Sequence, residues 1–114
     1  METRQILLTE PAGAAAKMGA LAEINPTLVL VFGALRFFES PGLLDTLRHQ
    51  CPGAAIAGCS TAGEIEGNQV HDGTCVVTAM AFDRATVRVE ATRLASMADS
   101  LGAGERLAKA LPKE

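Results

Sequence analysis

Residues 27–34, TLVLVFGA, form a strand-type run without a single charged side chain. A strand that lacks polar–apolar alternation is typical of a parallel sheet whose two faces are both covered. We predict a helix over residues 12–24. It starts after Pro11, and Asn25-Pro26, which precede the strand-type run, terminate it. The chain therefore needs a sheet with helices packed against it, and we expect residues 27–34 to be a central strand covered on both faces.

Strands and helices alternate on either side of that run. Short apolar stretches predict a first strand over residues 5–9 and a third over residues 54–57. Ser40-Pro41 supplies an N-cap and a first-turn proline for a second helix, which Pro52-Gly53 ends. The apolar face of this helix consists of Leu43, Leu44, Leu47 and Cys51. Strand, helix, strand, helix, strand is the order of parallel crossover connections.

The second half of the chain has a different pattern. Turn residues cluster over 68–73, where Asp72-Gly73 is a good hairpin signal. Residues 75–82 and 86–94 predict two adjacent antiparallel strands, and an apolar stripe from Met97 to Leu111 predicts a final helix. The predicted fold is a single α/β domain over residues 1–114. It has a mixed sheet, in which a parallel β-α-β-α-β layer is followed by an antiparallel two-strand ribbon and a C-terminal helix.

Composition excludes several classes of protein. Hydrophobic residues make up 48% of the chain and the net charge is −3, which indicates a globular protein without a basic surface for nucleic acid. The longest apolar run, residues 28–38, is interrupted by Arg36 and is shorter than the ~20 residues of a membrane span. The three cysteines form no C-x-x-C pair, as is typical of reduced thiols. We expect a cytoplasmic protein that binds neither nucleic acid nor membrane.

Residues 58–65, the GCSTAGEI segment, directly follow the third predicted strand and form the candidate ligand site. Ligands bind at the carboxyl ends of strands in open α/β sheets because free main-chain groups gather there. Glycines permit close approach, hydroxyls donate or accept, and a carboxylate can pair with an amino group. The predicted ligand-binding residues are Gly58, Cys59, Ser60, Thr61, Gly63, Glu64 and Arg36. The competing interpretation is a compact turn whose hydroxyls and carboxylate cap neighbouring backbone.

Catalytic motifs fit the GCSTAGEI segment poorly. Its glycines have the spacing of a P-loop, but Glu64-Ile65 stands where Lys-Ser/Thr would be needed, so nucleotide phosphate would be repelled. Ala62 replaces the second glycine of a nucleophile elbow, and sequence places neither His49 nor His71 beside Ser60. We therefore predict no catalytic residue and no enzyme, with a Ser or Cys hydrolase as the weakest alternative.

The GCSTAGEI segment resembles the hallmark of the FIST domain family, and its context is similar. The matching context comprises Leu28-Val29-Leu30-Val31-Phe32, the leucine-rich helix, Pro52-Gly53-Ala54, Val70, Asp72-Gly73, Val76-Val77 and Phe82-Asp83. The resemblance implies an intracellular bacterial sensory module that binds a small ligand, with an amino acid or derivative as the expected class. It also implies a signalling partner such as a histidine kinase, a chemoreceptor or a cyclic-dinucleotide enzyme.

Two alternatives and one departure accompany this resemblance. Some family members bind haem and sense nitric oxide, in which case His71 or His49 would be the axial ligand; otherwise no cofactor or metal is expected. The other alternative is a structural or interaction remnant that binds nothing small. The family's N-terminal domain is longer than these 114 residues, so the chain is expected to be its N-terminal portion. Because a partial domain would leave a sheet edge and apolar surface uncovered, we also expect a homo-oligomer.

Overall fold

The computed structural model describes residues 1–113. In chain order the elements are β1 (Glu2–Leu8), α1 (Ala14–Ala22), β2 (Leu28–Gly33), α2 (Leu35–Glu39), α3 (Leu43–Gln50), β3 (Ala55–Ser60), β4 (Glu64–Glu66), β5 (Gln69–His71), β6 (Cys75–Ala81) and α4 (Ser100–Ala110). A short 3₁₀ turn, Met97–Asp99, leads into α4.

Four strands form one mixed sheet in the order β1-β6-β2-β3. β2 and β3 are parallel neighbours, whereas β6 lies between β1 and β2 and is antiparallel to both. β1, β2 and β3 therefore run in one direction, as the predicted β-α-β-α-β order requires. β4 and β5 form a separate two-stranded antiparallel sheet. The predicted class, α/β with a mixed sheet, an antiparallel two-stranded unit and a C-terminal helix, is confirmed.

The apolar core lies on one face of the main sheet. Val29 and Val31 of β2 are buried together with their β6 neighbours Ala79 and Val77. α1 and α3 pack against each other and cover this layer with Met18, Leu21 and Leu47. Residue 32, Phe32, points the other way and is 37% exposed. β2 is central, as predicted, but the expectation that both its faces are covered is wrong because the two helices share one face.

The connection between β2 and α3 is more structured than the sequence suggests. α2 occupies residues 35–39, which we did not predict to be helical. The second predicted helix begins at Leu43, behind Gly42, and not at Pro41 behind a Ser40 cap. Gly42 has φ 96°, a left-handed conformation that favours glycine, and it allows the chain to turn between two helices that follow each other closely.

Residues 86–94 do not form the predicted strand. A hairpin with β6 would need a free edge on β6, but β1 and β2 already pair with its two edges. The two-stranded antiparallel unit forms instead from β4 and β5, whose connection contains Gly67 with φ 59°. Residues 86–94 therefore cross the surface without regular secondary structure.

α4 confirms the predicted C-terminal helix, although its apolar stripe faces solvent. Ala103 is its one buried residue, whereas Leu101 is 77% exposed and Met97, just before the helix, is 82% exposed. Arg106 holds the helix to the preceding chain by donating to Asp99 Oδ2 at 2.7 Å and to the Arg93 carbonyl at 2.8 Å. No helix within residues 1–113 has the length and apolar character needed to traverse a bilayer.

Candidate functional site

The first part of the GCSTAGEI segment is an edge strand rather than a loop. β3 extends through Ser60, which is paired with Gly33 in the parallel register of β2 and β3. The Thr61 amide continues this ladder by donating to the Gly33 carbonyl at 2.8 Å. Residues 58–60 are exposed, because β3 is the last strand of the sheet and none of the helices described above covers its end. The segment therefore turns only after Ser60.

Gly58 is fixed by the close approach of β2. A Cβ atom built on Gly58 would overlap the Val31 carbonyl oxygen and would lie 2.7 Å from the Val31 carbonyl carbon. Main-chain atoms of a central strand cannot move aside without disturbing its ladders to both neighbours. The residue type at position 58 is thus dictated by backbone packing, whatever else the position does.

Glu64 is a buried carboxylate whose two oxygens are both occupied. Its Oε1 accepts hydrogen bonds from the Thr74 amide at 2.9 Å and from the Thr74 hydroxyl at 2.8 Å. Its Oε2 accepts from the Thr61 hydroxyl at 2.8 Å. The residue is only 2% exposed, so its charge is stabilised by these donors and not by bulk water. Glu64 therefore joins the end of the GCSTAGEI segment to the start of β6.

Opposing effects act on the pKa of the Glu64 carboxyl. Burial raises it, but hydrogen bonds from the Thr74 and Thr61 side chains and from the Thr74 and Gly63 amides lower it, so that the pKa lies below its ordinary value of 4.5. The neighbouring Cys75 thiol has its pKa raised to about 11, first by burial and then by the negative charge of Glu64. The carboxylate is thus ionised at neutral pH, and Cys75 is an unreactive thiol.

Arg36 ties three parts of the chain together beside this network. Its guanidinium donates to the Thr9 carbonyl at 2.6 Å, to the Gly73 carbonyl at 2.8 Å and to Glu10 Oε2 at 2.9 Å. It also stacks on the Phe37 ring, with 4.7 Å from the guanidinium carbon to the ring centroid. Arg36 and Glu64 therefore bind two adjacent residues just before β6: Arg36 binds Gly73, and Glu64 binds Thr74.

A hollow of about 460 Å³ opens along the outer side of β3. Its walls are mostly apolar and come from β2, α2, α3, β3 and the chain after β6. The lining residues are Val31, Phe38, Leu44, Arg48, Ile56, Ala57, Gly58, Cys59, Val89, Glu90 and Ala91. Ligand-binding clefts span roughly 300–1,000 Å³, and this hollow falls in that range. It brings Gly58 and Cys59 of the GCSTAGEI segment next to one guanidinium and one carboxylate.

The open edge of β3 presents main-chain groups on the same side. The Ala55 and Thr61 amides donate to carbonyls of the chain that contains β2, at 3.0 and 2.8 Å. Because main-chain groups of a strand alternate in direction, the N–H and C=O groups of Ile56, Gly58 and Ser60 point away from β2. This edge therefore offers donors and acceptors beside an apolar hollow.

The sequence model of the FIST N domain matches residues 27–114, from just before β2 to the end of the chain. The chain belongs to the FIST N domain family. FIST domains are sensory domains associated with signal transduction, so the family predicted from the GCSTAGEI segment and its context is confirmed. No curated protein and no solved structure is similar enough to this FIST N domain to give a match.

The predicted ligand-binding residues of this FIST N domain fall into two groups. Gly58, Cys59 and Ser60 lie on the exposed edge strand, with Gly58 and Cys59 in the wall of the hollow. The polar side chains of Thr61, Glu64 and Arg36 are engaged in the internal contacts described above. Among residues 1–113, every buried side-chain nitrogen or oxygen has a hydrogen-bond partner. Ligand contact by the predicted residues, including Gly63, stays a prediction.

Sequence reasoning missed the residues that complete both parts of this region. Thr74, the principal partner of Glu64, follows the Asp72-Gly73 turn and reads as an ordinary residue before a strand. Arg48 reads as an exposed cation of a helix, and Glu90 belonged to a predicted strand. A buried acidic side chain requires nearby donors, which is the one signal that could have pointed to a hydroxyl residue such as Thr74.

The two histidines of the FIST N domain lie apart from the hollow lining. His71 Nε2 is 3.4 Å from Glu66 Oε2 across the β4–β5 sheet, and His49 is exposed in the last turn of α3. Within residues 1–113, no group of three or more His, Cys, Asp or Glu side chains is arranged to hold a metal ion. The alternative of haem ligation by either histidine stays a prediction.

Replacing Arg36 by alanine is expected to lower the free energy of unfolding by about 1–2 kcal/mol. Its side chain is 45% exposed, so solvent weakens each contact, but the substitution removes the donors that join the residues just after β1 to the turn before β6. Urea unfolding monitored by circular dichroism measures this change. Arg48→Ala is the matched control, because the ion pair of Arg48 with Asp45 is longer, at 3.4 Å, and more exposed. Equal losses in the two variants would contradict the clamping role of Arg36.

Proposed function

We propose that this FIST N domain is a non-catalytic sensory module that binds an apolar amino acid, or a close derivative, in the hollow beside β3. One observation carries the proposal: Gly58 and Cys59 of the GCSTAGEI segment line a hollow of about 460 Å³ at the exposed edge of the sheet. An output partner of the kind implied by the family, such as a histidine kinase, a chemoreceptor or a cyclic-dinucleotide enzyme, would read the bound state.

The chemistry of the walls supports an amphiphilic ligand. Phe38, Leu44, Ile56 and Val89 provide apolar surface that loses contact with water when an aliphatic side chain enters. Leu44 is 40% and Val89 43% exposed, so both have surface left to cover. A branched aliphatic side chain suits this space better than a charged one, because an unpaired charge against these walls would be costly.

Two charged side chains at the hollow complement the two charges of an amino acid. The Arg48 guanidinium is 67% exposed, and its contact with Asp45 is long, at 3.4 Å, which leaves it able to bind a carboxylate. Glu90 offers a carboxylate for an ammonium group, in exchange for or in addition to its contact with Arg88 at 2.8 Å. The outward main-chain groups of Gly58 would add hydrogen bonds without any side-chain barrier.

In this proposal the Glu64 network supports the site without touching the ligand. The carboxylate holds the chain just after Ser60 against the start of β6, through Thr61 and Thr74. A fixed edge strand loses less conformational entropy on binding than a mobile loop would. The hallmark residues thus divide into an exposed pair that faces the ligand and an internal pair that orients the strand.

Thermal unfolding with matched probes tests this function. L-Leucine is expected to raise the midpoint of unfolding, whereas leucinamide, which lacks the carboxylate, and 4-methylpentanoate, which lacks the ammonium group, are expected to bind more weakly. Arg48→Ala is expected to weaken L-leucine binding about tenfold, the loss of one solvent-exposed charged hydrogen bond.

The control variant is Lys109→Ala, which removes an exposed cation from α4, outside the lining of the hollow. In the Arg48→Ala variant, leucinamide and L-leucine should bind with similar affinity, because the carboxylate has lost its partner. A wild-type midpoint that no amino acid raises at millimolar concentration would favour the interaction remnant over the sensor. Equal affinity in the Arg48→Ala and Lys109→Ala variants would contradict the assigned binding mode.

A further inference from the structure

The chain after β6 leaves an unusual number of main-chain groups unpaired. Within residues 1–113, the main chain of residues 84–92 makes no hydrogen bond to another main-chain or side-chain group. Its side-chain hydrogen bonds within residues 1–113 are those of the Arg88–Glu90 ion pair and one from Arg106 to the Thr92 hydroxyl. Main-chain polar groups are strongly hydrogen-bonding, so the donors and acceptors of this stretch are available to a partner strand.

The sequence of this stretch is that of a strand. In residues 86–92, TVRVEAT, apolar Val87, Val89 and Ala91 alternate with polar side chains. β-Branched residues are abundant and proline and glycine are absent from it. Such a pattern is typical of a half-covered edge strand. In the observed position the segment is not paired with another strand.

β3 has that free edge, and it lies directly across the hollow. Val89, Glu90 and Ala91 form one wall, and Ile56 to Cys59 form the other. The main-chain groups of Ile56, Gly58 and Ser60 point outward, as derived above. Charged residues and proline usually block strand addition at a sheet edge, and residues 55–60, AIAGCS, contain neither. Two unpaired strand-type backbones therefore face each other.

We propose that residues 86–92 are a strap that pairs with the open edge of β3 as a fifth strand and closes the hollow. This regulatory role rests on the proposed function: the ligand occupies the hollow and holds the strap in the separated position, so that binding shifts the balance between two states. Both ends of the strap are anchored. The Phe82 amide donates to Thr27 Oγ1 at 3.2 Å, and Arg106 donates to the Arg93 carbonyl.

The same anchor gives the strap an output. Arg106 lies in α4 and contacts both Thr92 and Arg93, so movement of the strap pulls on this helix. The apolar side chains of Leu101 in this helix and of Met97, in the turn just before it, are exposed and available to a partner. Ligand occupancy would thus be converted into a change in the position of an exposed apolar helix face.

Amide hydrogen exchange without any ligand tests the strap. In the wild-type protein, the Ile56, Gly58 and Ser60 amides are expected to exchange at least tenfold more slowly than in an unfolded chain. Val89→Pro removes a main-chain donor from the middle of the strap and should accelerate these amides about tenfold. The Ala57 and Cys59 amides, which face β2, should not change. Ala85→Pro, outside residues 86–92, is the matched control and should leave all five amides as in the wild type.

Equal exchange of the Ile56, Gly58 and Ser60 amides in the wild-type and Val89→Pro proteins would overturn the strap. Should Val89→Pro fail to fold, disulfide formation with Cys59 decides instead. Val87→Cys, Val89→Cys and Ala91→Cys are introduced one at a time, and at least one should cross-link to Cys59, because a bridge requires Cα atoms within about 4.4–6.8 Å. The absence of a cross-link in all three variants would overturn the pairing.

The outcome for the strap is separable from the outcome for the sensor. The exchange and cross-linking measurements use no ligand, so they report on the strap alone. Stabilisation by L-leucine without strap pairing would leave the proposed function standing and remove the strap. Strap pairing without stabilisation by any amino acid would leave the pairing standing and remove the proposed function. With both present, L-leucine should slow cross-linking to Cys59, and an unchanged rate would overturn the regulatory role.

Discussion

Gly58→Ala is expected to destabilise the protein by about 3 kcal/mol, a large share of the stability of a domain of this size. The added methyl group would overlap the Val31 carbonyl oxygen and would also lie 3.0 Å from the Val31 nitrogen. Val31 belongs to β2, which pairs with β3 on one side and β6 on the other, so it cannot retreat without loss of ladder hydrogen bonds. Urea unfolding followed by circular dichroism measures the change.

Gly53→Ala is the matched control for this substitution. No atom of residues 1–113 lies within 4 Å of a Cβ atom added at Gly53, and its φ is not in the left-handed region. The control variant should stay within about 0.5–1 kcal/mol of the wild type, with any gain coming from a less flexible unfolded chain. Similar stabilities for the Gly58→Ala and Gly53→Ala variants would contradict the close approach of Gly58 to the Val31 main chain.

Glu64→Ala is expected to lower the free energy of unfolding by about 3 kcal/mol, because it leaves buried donors unpaired. The Thr74 amide and hydroxyl and the Thr61 hydroxyl would all lose their acceptor. Glu64→Gln keeps an acceptor oxygen and the shape of the side chain, so its cost should be smaller, about 1 kcal/mol. Chemical unfolding at pH 7 gives both values. A cost for Glu64→Ala no larger than for the surface variant Glu105→Ala would contradict the internal role of Glu64.

The Glu64 network also predicts how stability depends on pH. The folded-state pKa of Glu64 is lower than its ordinary value of 4.5, so the unfolded chain takes up the proton first as pH falls. The stability contributed by the carboxylate is therefore fully present above pH 4.5 and is lost as pH drops toward the folded-state pKa. Glu64→Gln should remove this component, so the difference in stability between wild type and variant should shrink below pH 4.5. A constant difference would count against the depressed pKa.

Local sequence signals predict where the strands and helices of this fold lie better than they predict which strands are neighbours in the sheet. β2 and β3 are uncharged apolar stretches that follow Asn25-Pro26 and Pro52-Gly53, and such signals act over a few residues. The insertion of β6 between β1 and β2 depends on contacts that are distant in sequence. Because of that insertion, residues 86–94 find no free edge on β6, and the predicted ribbon does not form.

The sequence predicts where the candidate site lies, but not which of its residues stay exposed and which make internal hydrogen bonds. The GCSTAGEI segment marks the carboxyl end of β3, where an open sheet exposes main-chain groups. Which of its polar atoms stay free depends on Thr74, ten residues beyond Glu64, and on the turn that brings them together. The hollow was beyond prediction because its second wall is a segment without regular structure, Val89 to Ala91.

The NMR signals of the Gly58 amide and the Glu64 side-chain carboxyl carbon, recorded together as L-leucine is added, test the central claim most directly. The claim is that Gly58 faces the ligand while Glu64 holds the strand from within. The account predicts a saturable shift of the Gly58 amide, with a Glu64 carboxyl that does not respond to L-leucine and titrates below pH 4.5. A Glu64 carboxyl signal that follows the added amino acid, beside an unchanged Gly58 amide, would contradict it.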